Sequence, residues 1–222
     1  MRTLAIGDIH GSFRALDTLA AYAAFTPSDR IITLGDYVDR GPDSRRVIAW
    51  LIDRHANGGL IPLRGNHELM MLAARQSDRQ RDEWLAYGGD AVLSSYGTDR
   101  LENIPGDHWD FLEQSLRSHY CTESHFFVHA NAYPDIPLEE QPDYMLYWEP
   151  LVDPTPHESG LTMVCGHTRQ RNGVPLTMGH AICIDTWACG RGWLTCLDVD
   201  TGLCWQANEA GLTRRFWLDD GP

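Results

Sequence analysis

The chain opens on a short apolar run, TLAIGD, bounded by a glycine and a carboxylate. That pattern predicts a buried strand over 3–8 that presents Asp8 at its C-terminal end. Ser12 stands where a helix N-cap belongs, and Phe13, Leu16, Leu19, Ala20 and Ala23 then recur at helical spacing. The same alternation repeats twice. A strand over 30–34 ends at Gly35-Asp36, and Pro42 opens a helix running to about Arg54. LIPLRGN is a third strand ending at Asn66, with a helix from about Glu68. Strands and helices in this order imply a parallel core sheet.

Beyond residue 76 the periodicity loosens. Residues 76–120 read as helices and loops anchored by Trp84, Trp109 and Phe111. HFFVHA is a strand ending at His129, LTMVCGH one ending at His167, and HAICID one ending at Asp185. The intervening 131–160 stretch is acidic and proline-rich, and is expected to be a solvated loop rather than a lid. The tail alternates as WLTCLDVD, LCWQAN and LTRRFW, which predicts a hairpin meander. No linker divides the 222 residues, so one domain over 1–222 is expected.

Composition narrows the chemistry. All 18 basic side chains are arginine, which excludes a lysine Schiff base, a pyridoxal phosphate anchor and the lysine-dependent phosphate loops. The net charge of −13 opposes general binding to nucleic acid or an anionic membrane. The N-terminus has no apolar signal core, and a cytoplasmic setting is expected. The six cysteines make no CxxC pair and read as reduced, mostly core residues.

Asp8, His10, Asp36, Asn66, His129 and His167 all fall at or just beyond predicted strand ends, most of them beside glycine. In parallel sheets such ends share the edge where ligands bind. Two carboxylates, three imidazoles and an amide suit a pair of borderline divalent ions. His55, His108, His119, His125, His157 and His180 lack this setting and read as structural.

The blocks GDIHG (7–11), GDYVDRG (35–41) and GNHE (65–68), followed by FVHA (127–130) and CGHT (165–168), resemble the signature motifs of the metal-dependent phosphoprotein phosphatases. These belong to the calcineurin-like metallophosphoesterases, and the chain length is similar to that of the compact phage and bacterial serine/threonine phosphatases. The resemblance implies an α/β fold with two packed mixed β-sheets flanked by helices, a four-layer sandwich. It implies one metal on Asp8, His10 and Asp36, and a second on Asp36, Asn66, His129 and His167. Mn2+ is the ion this implies first, with Fe/Zn pairs as the other option. It further implies His67 as general acid oriented by Asp39, Arg40 and Asn66 on the phosphoryl oxygens, and attack by a hydroxide bridging the two ions. Glu68 reads as a supporting or capping group. The activity it implies is phosphomonoester hydrolysis by a bacterial-type serine/threonine protein phosphatase, with tyrosine activity left open, and the partner is then a phosphoprotein or a small phosphorylated molecule.

The chain departs from the family pattern where a second phosphate-binding arginine is expected. Residues 130–166 hold seven acids and no arginine, and Glu149-Pro150 follow Trp148. Either Arg40 and the metals hold phosphate alone, or Arg169, Arg171 or Arg191 takes the place, Arg169 foremost; replacement is the expectation. Trp187 stands where a small residue is common, either packed in the core or walling the site for an aromatic leaving group. Two other functions stay open at this point: symmetrical dinucleoside polyphosphate hydrolysis, and phosphoprotein binding without turnover.

Overall fold

The computed structural model describes residues 1–222. Strand β1 (Thr3–Ile6), helix α1 (Phe13–Tyr22), β2 (Arg30–Thr33), α2 (Ser44–Ala56) and β3 (Leu60–Pro62) follow the predicted alternation. β1 and β3 both pair in parallel with β2. Helices α3 (Asn66–Ala73), α4 (Asp78–Trp84), α5 (Asp90–Tyr96) and α6 (Gly106–Gln114) come next. A second sheet is then built from β4 (His119–Cys121), β5 (His125–Val128), β6 (Thr162–Cys165), β7 (Leu176–Thr177) and β8 (Ala181–Cys183), with α7 (Asp143–Tyr147) between β5 and β6. The meander β9 (Leu194–Asp198), β10 (Leu203–Ala207) and β11 (Thr213–Trp217) returns to the first sheet, antiparallel to β1 through β9.

The first sheet runs β11-β10-β9-β1-β2-β3 and the second β4-β5-β6-β8-β7, so both are mixed. Their alternation explains the layering, because successive side chains on a strand point to opposite faces. Leu4 and Ile6 of β1 join the core under the helices, while Ala5 between them joins Ile32, Phe127, Val164 and Leu197 between the sheets. On the second sheet Phe127 and Val164 face inward, and Phe126, Val128, Met163 and Cys165 face outward. Strands buried on both faces read as continuous apolar runs, which is how β5, β6 and β8 appear in the sequence.

Four expectations need correction. Ser12 occupies the N-cap position of α1, but its side chain caps nothing. Its ψ of 64° falls short of the extended backbone that aims a cap oxygen into the first turn. Asp43, not Pro42, starts α2, accepting from the Arg46 amide at 3.2 Å. Helix α3 begins at Asn66 rather than Glu68, because Glu68 is its third residue and reaches back to the Gly65 amide at 2.9 Å. Segment 131–160 is no solvated loop: Leu138, Met145, Leu146 and Leu151 cover the outer face of the second sheet, while its acids point outward. All six cysteines are free, and Cys165, Cys183, Cys196 and Cys204 are buried.

The strand ends predicted to share one sheet edge belong to two sheets that meet. A Cβ on Gly7, after β1, would stand 2.3 Å from the Ile184 carbonyl oxygen, after β8. The His167 amide, after β6, donates to both oxygens of Asp8 at 3.1 and 3.2 Å. His129, after β5, donates Nδ1–H to the Leu34 carbonyl, after β2, at 2.8 Å.

Candidate metal centre and acid site

Asp36 lies at the middle of this junction and is 2% exposed. His10 Nε2 and His129 Nε2 each lie 3.4 Å from its carboxylate, and His67 Nε2 lies 3.9 Å away. The far nitrogens of the two 3.4 Å rings are spoken for. His10 donates Nδ1–H to the Val38 carbonyl and His129 to the Leu34 carbonyl, both at 2.8 Å. Burial lowers both imidazoles below their ordinary values, so each is neutral with its lone pair on Nε2.

The His129 lone pair meets another acceptor. His129 Nε2 is 3.0 Å from Asn66 Oδ1. His167 donates Nε2–H to the Trp148 carbonyl at 3.1 Å, which turns its Nδ1 lone pair toward the same Asn66 oxygen at 3.2 Å. Burial and then the neighbouring His129 lower His167 to about 4. With its Oδ1 toward both rings, Asn66 presents an oxygen to two imidazole lone pairs, an arrangement that a cation bridges. Backbone carbonyls holding the far ring nitrogens are the usual support for histidine ligands. Asp8 makes the same point. Burial, Asp185 and Asp36 push its carboxyl well above the ordinary range, a cost that a cation relieves. At His10 positive charge is already present: Arg40 Nη1 donates to its Nε2 at 2.7 Å.

The donor set fits divalent ions. Ligand atoms of Asp36, His129 and His167 lie within 4.8 Å of one another, as do those of His10, Asp36 and His67. Asp8 stands beside the second group rather than in it, tied to the His167 amide. Burial raises the Asp36 carboxyl, yet the imidazoles packed round it, His67 the one held toward its charged form, bring the group below the usual carboxylate range.

His67 is wedged between two carboxylates. Its amide donates to Asp36 Oδ1 at 3.1 Å, and its Nδ1–H donates to Asp39. The other Asp39 oxygen accepts Trp84 Nε1–H at 2.8 Å. Burial lowers the His67 imidazole, but Asp36 and Asp39 together bring it above its ordinary value. Glu68 is a clamp. Its carboxylate accepts the amides of Asp36, Tyr37 and Gly65 at 2.9, 2.7 and 2.9 Å, joining two of the signature loops.

The loops carry backbone strain where the chemistry sits. His10, Asp36, Asp39, Arg40 and His167 all have left-handed φ, between 44° and 71°. Such residues cost roughly 1–3 kcal/mol each and persist only where the surroundings hold them. Gly88 provides part of that hold. Its carbonyl accepts the Arg40 amide at 3.1 Å, and a Cβ there would stand 2.8 Å from that nitrogen.

Arg169 lies on the other flank. It and Arg171 each place a guanidinium 5.9 Å from the Trp187 ring centre. Trp187 is only half-buried, so the core-packing expectation fails. Its own backbone is left-handed, φ 68°, and its amide donates to Asp185 at 3.0 Å. Burial pushes Asp185 to about 6, against the lowering effect of the Trp187 amide, Arg169 and Arg40. Arg191 is exposed.

Sequence reasoning missed Trp84, Trp148 and Asp185. Trp84 ends a polar run and reads as an ordinary packing anchor, so nothing marked its indole N–H. Trp148 acts here through its backbone carbonyl, which carries no sequence signal.

Residues 1–174 match the family model for calcineurin-like phosphoesterases. Serine/threonine-protein phosphatase 1 of Salmonella typhimurium is 42% identical over 86 residues, 38% of this chain and 38% of that protein. A symmetrical bis(5'-nucleosyl)-tetraphosphatase of Stutzerimonas stutzeri is 34% identical over 143 residues, 63% of this chain and 48% of that protein. The chain thus spans less than half the length of either curated relative. Among solved structures, a putative diadenosine tetraphosphatase superposes with TM-score 0.66 at 20% identity, over 97% of this chain and 93% of that one. A cold-active protein-tyrosine phosphatase from a psychrophilic Shewanella gives 0.67 at 16% identity, over 96% and 80%. These two likenesses are of fold. With the signature loops, the converging ligands and a family match over most of its length, the chain belongs to the calcineurin-like phosphoesterases.

Proposed function

We propose that the chain is a phosphomonoesterase that needs two divalent ions, Mn2+ foremost, and acts on phosphorylated serine or threonine side chains of proteins. The observation that carries this reading is the buried His67 between Asp36 and Asp39. Asp8, His10 and Asp36 would hold one ion, and Asp36, Asn66, His129 and His167 the other. When bound, the ions supply Lewis acidity and activate a water molecule.

The remaining work falls to the chain's own groups. Arg40 offers a planar fork to two phosphoryl oxygens, with the Asn66 amide as a further donor. Arg169 adds positive charge from the opposite flank. His67 delivers the Nε2 proton to the departing alkoxide, which is too basic to leave alone. Asp39 keeps the Nδ1 proton and so orients the ring, and the Trp84 indole keeps Asp39 in place. Glu68 takes no proton from substrate, since its oxygens are committed to backbone amides.

A second reading is symmetrical hydrolysis of a dinucleoside polyphosphate. It draws on the Arg169–Trp187–Arg171 stack, which joins two cations to an aromatic face. The Mn2+-loaded protein should release phosphate from phosphoserine and phosphothreonine peptides with a higher kcat/KM than it cleaves diadenosine tetraphosphate. The reverse order would transfer the assignment to the second reading. The net charge of −13 sets nucleic acid aside as a partner, and no helix is long and apolar enough to cross a membrane.

A further inference from the structure

The turn after β6 runs from the cage along the cationic flank. It starts at His167, two residues before Arg169, and passes Arg171 on its way to Gly173. The cage fixes its first end, through the His167 amide on Asp8 and the His167 ring on the Trp148 carbonyl. Its middle is fixed by the Gln170 amide, which donates to the Asp185 carbonyl at 2.7 Å. Its last end is held by the first sheet. The Gly173 carbonyl accepts Gln206 Nε2–H of β10 at 3.0 Å and Arg214 Nη2–H of β11 at 2.8 Å.

These two side chains are tied to each other and to the segment after β8. Arg214 Nε–H donates to Gln206 Oε1 at 2.6 Å. The second Gln206 Nε2 hydrogen goes to Thr195 Oγ1 at 2.7 Å. Thr186 gives its hydroxyl proton to the Trp193 carbonyl at 2.6 Å, so Thr195 donates to Thr186, at 2.5 Å. Gln206, Thr195 and Thr186 are at most 2% exposed. A buried polar network that is fully paired holds its members in one arrangement. Thr186 lies between Asp185 and Trp187, so the network grips both partners of the arginine–tryptophan stack. It reaches Trp187 through its chain neighbour and the arginines through Gly173.

Arg214 is unusual for this chain. Although acids outnumber arginines by 31 to 18, its Nε and Nη2 go to neutral oxygens. Its guanidinium lies 4.5 Å from the centre of the Trp193 ring. The same ring limits residue 173 to glycine, since a Cβ there would stand 3.0 Å from Trp193 Cδ1, and the backbone is left-handed at φ 75°. Such close anchoring matters for a guanidinium on a long stem. Ordering a flexible side chain opposes binding, and a fixed backbone beneath it reduces that cost.

Resting on the phosphomonoesterase reading, we infer that Gln206 and Arg214 are positioning residues, a clamp on Gly173 that sets Arg169 to meet the phosphoryl group as the second arginine. The tail meander of the first sheet then serves substrate binding without touching substrate.

The test measures binding of inorganic phosphate to the Mn2+-loaded protein by calorimetry. Arg214→Met keeps an unbranched stem beside Trp193 and removes both donors. It should weaken phosphate binding several-fold, as Arg169→Ala does, with metal content unchanged and the loss on phosphopeptides falling on KM rather than kcat. Arg215→Met takes the same charge from an exposed neighbour on β11 and should bind phosphate as the wild type does. In Arg169→Ala/Arg214→Met the two losses should not add, because both remove one interaction. Wild-type affinity in Arg214→Met or in Arg169→Ala, equal losses in Arg214→Met and Arg215→Met, or additive losses in the double variant overturn the clamp. A wild type that hydrolyses no phosphomonoester would remove the phosphomonoesterase reading instead, and the coupling of Arg214 to Arg169 in phosphate binding would still decide the clamp.

Discussion

The two sheets contribute unequally to the site. Loops after β1, β2 and β3 bring Asp8, His10 and Asp36, and with them every group assigned to proton transfer or phosphoryl contact on the acid side: Asp39, Arg40, Asn66 and His67. Loops after β5, β6 and β8 bring His129 and His167 as ligands, with Asp185, Arg169 and Trp187 on the cationic flank. The first sheet therefore carries chemistry and half the cage, and the second closes the cage. The seam between them is held by His129 on the Leu34 carbonyl and by the His167 amide on Asp8. A ligand lost from the second sheet should therefore empty a metal position, whereas the acid lost from the first should leave the metals in place.

That contrast is sharpest at His67. His67→Asn should lower kcat on phosphoserine peptides by about 10²–10⁴-fold while metal content stays at the wild-type value. The same variant should lose much less on p-nitrophenyl phosphate, whose leaving group departs without a proton. The pH dependence follows from the same residue. Because Asp36 and Asp39 raise His67, the proton is available below its raised pKa and lost as pH rises through it. The wild-type kcat should fall along that alkaline limb, and the variant's should lack it. Loss of metal in His67→Asn would make the residue structural and erase the distinction between the sheets.

His167→Ala tests the other side. It should cut activity by about 10²-fold and reduce bound metal from two ions to one, read by elemental analysis. Retention of both ions would show that the second sheet is not needed to close the cage. A smaller effect is expected at Trp84→Phe, which keeps the ring in the core but removes the N–H from Asp39. The kcat should fall by about tenfold, in line with a buried carboxylate losing one partner. An unchanged kcat would separate Trp84 from the acid pair. The smallest effect is expected on the cationic flank: Arg169→Ala/Arg171→Ala should raise KM for phosphopeptides several-fold and leave kcat nearly unchanged. An unchanged KM would remove both residues as replacements for the second phosphate arginine.

The same asymmetry governs what could be read from sequence. The first-sheet groups sit in blocks of a few residues, where glycine, carboxylate and histidine stand at fixed short offsets, so Asp8, His10, Asp36, Asp39, Arg40, Asn66 and His67 are visible as clusters. The second-sheet ligands are single histidines, legible only because each ends an apolar run. What supports them is hidden for physical reasons. The Leu34 and Trp148 groups act through carbonyls, which any residue possesses. The cover over the second sheet escaped because Leu138, Met145, Leu146 and Leu151 are spaced irregularly among prolines, with neither helical nor strand period. At Trp187 the sequence leaves core packing and a wall of the site both open, and only the half-burial of the ring separates them.

Metal stoichiometry reaches the centre of this account most directly. After saturation with Mn2+ and removal of free ion, the wild type should retain two ions per chain, and Asp36→Asn, which removes the one carboxylate shared by both sites, should retain neither. A wild-type protein that holds fewer than two, or an Asp36→Asn variant that keeps the full complement, would contradict it.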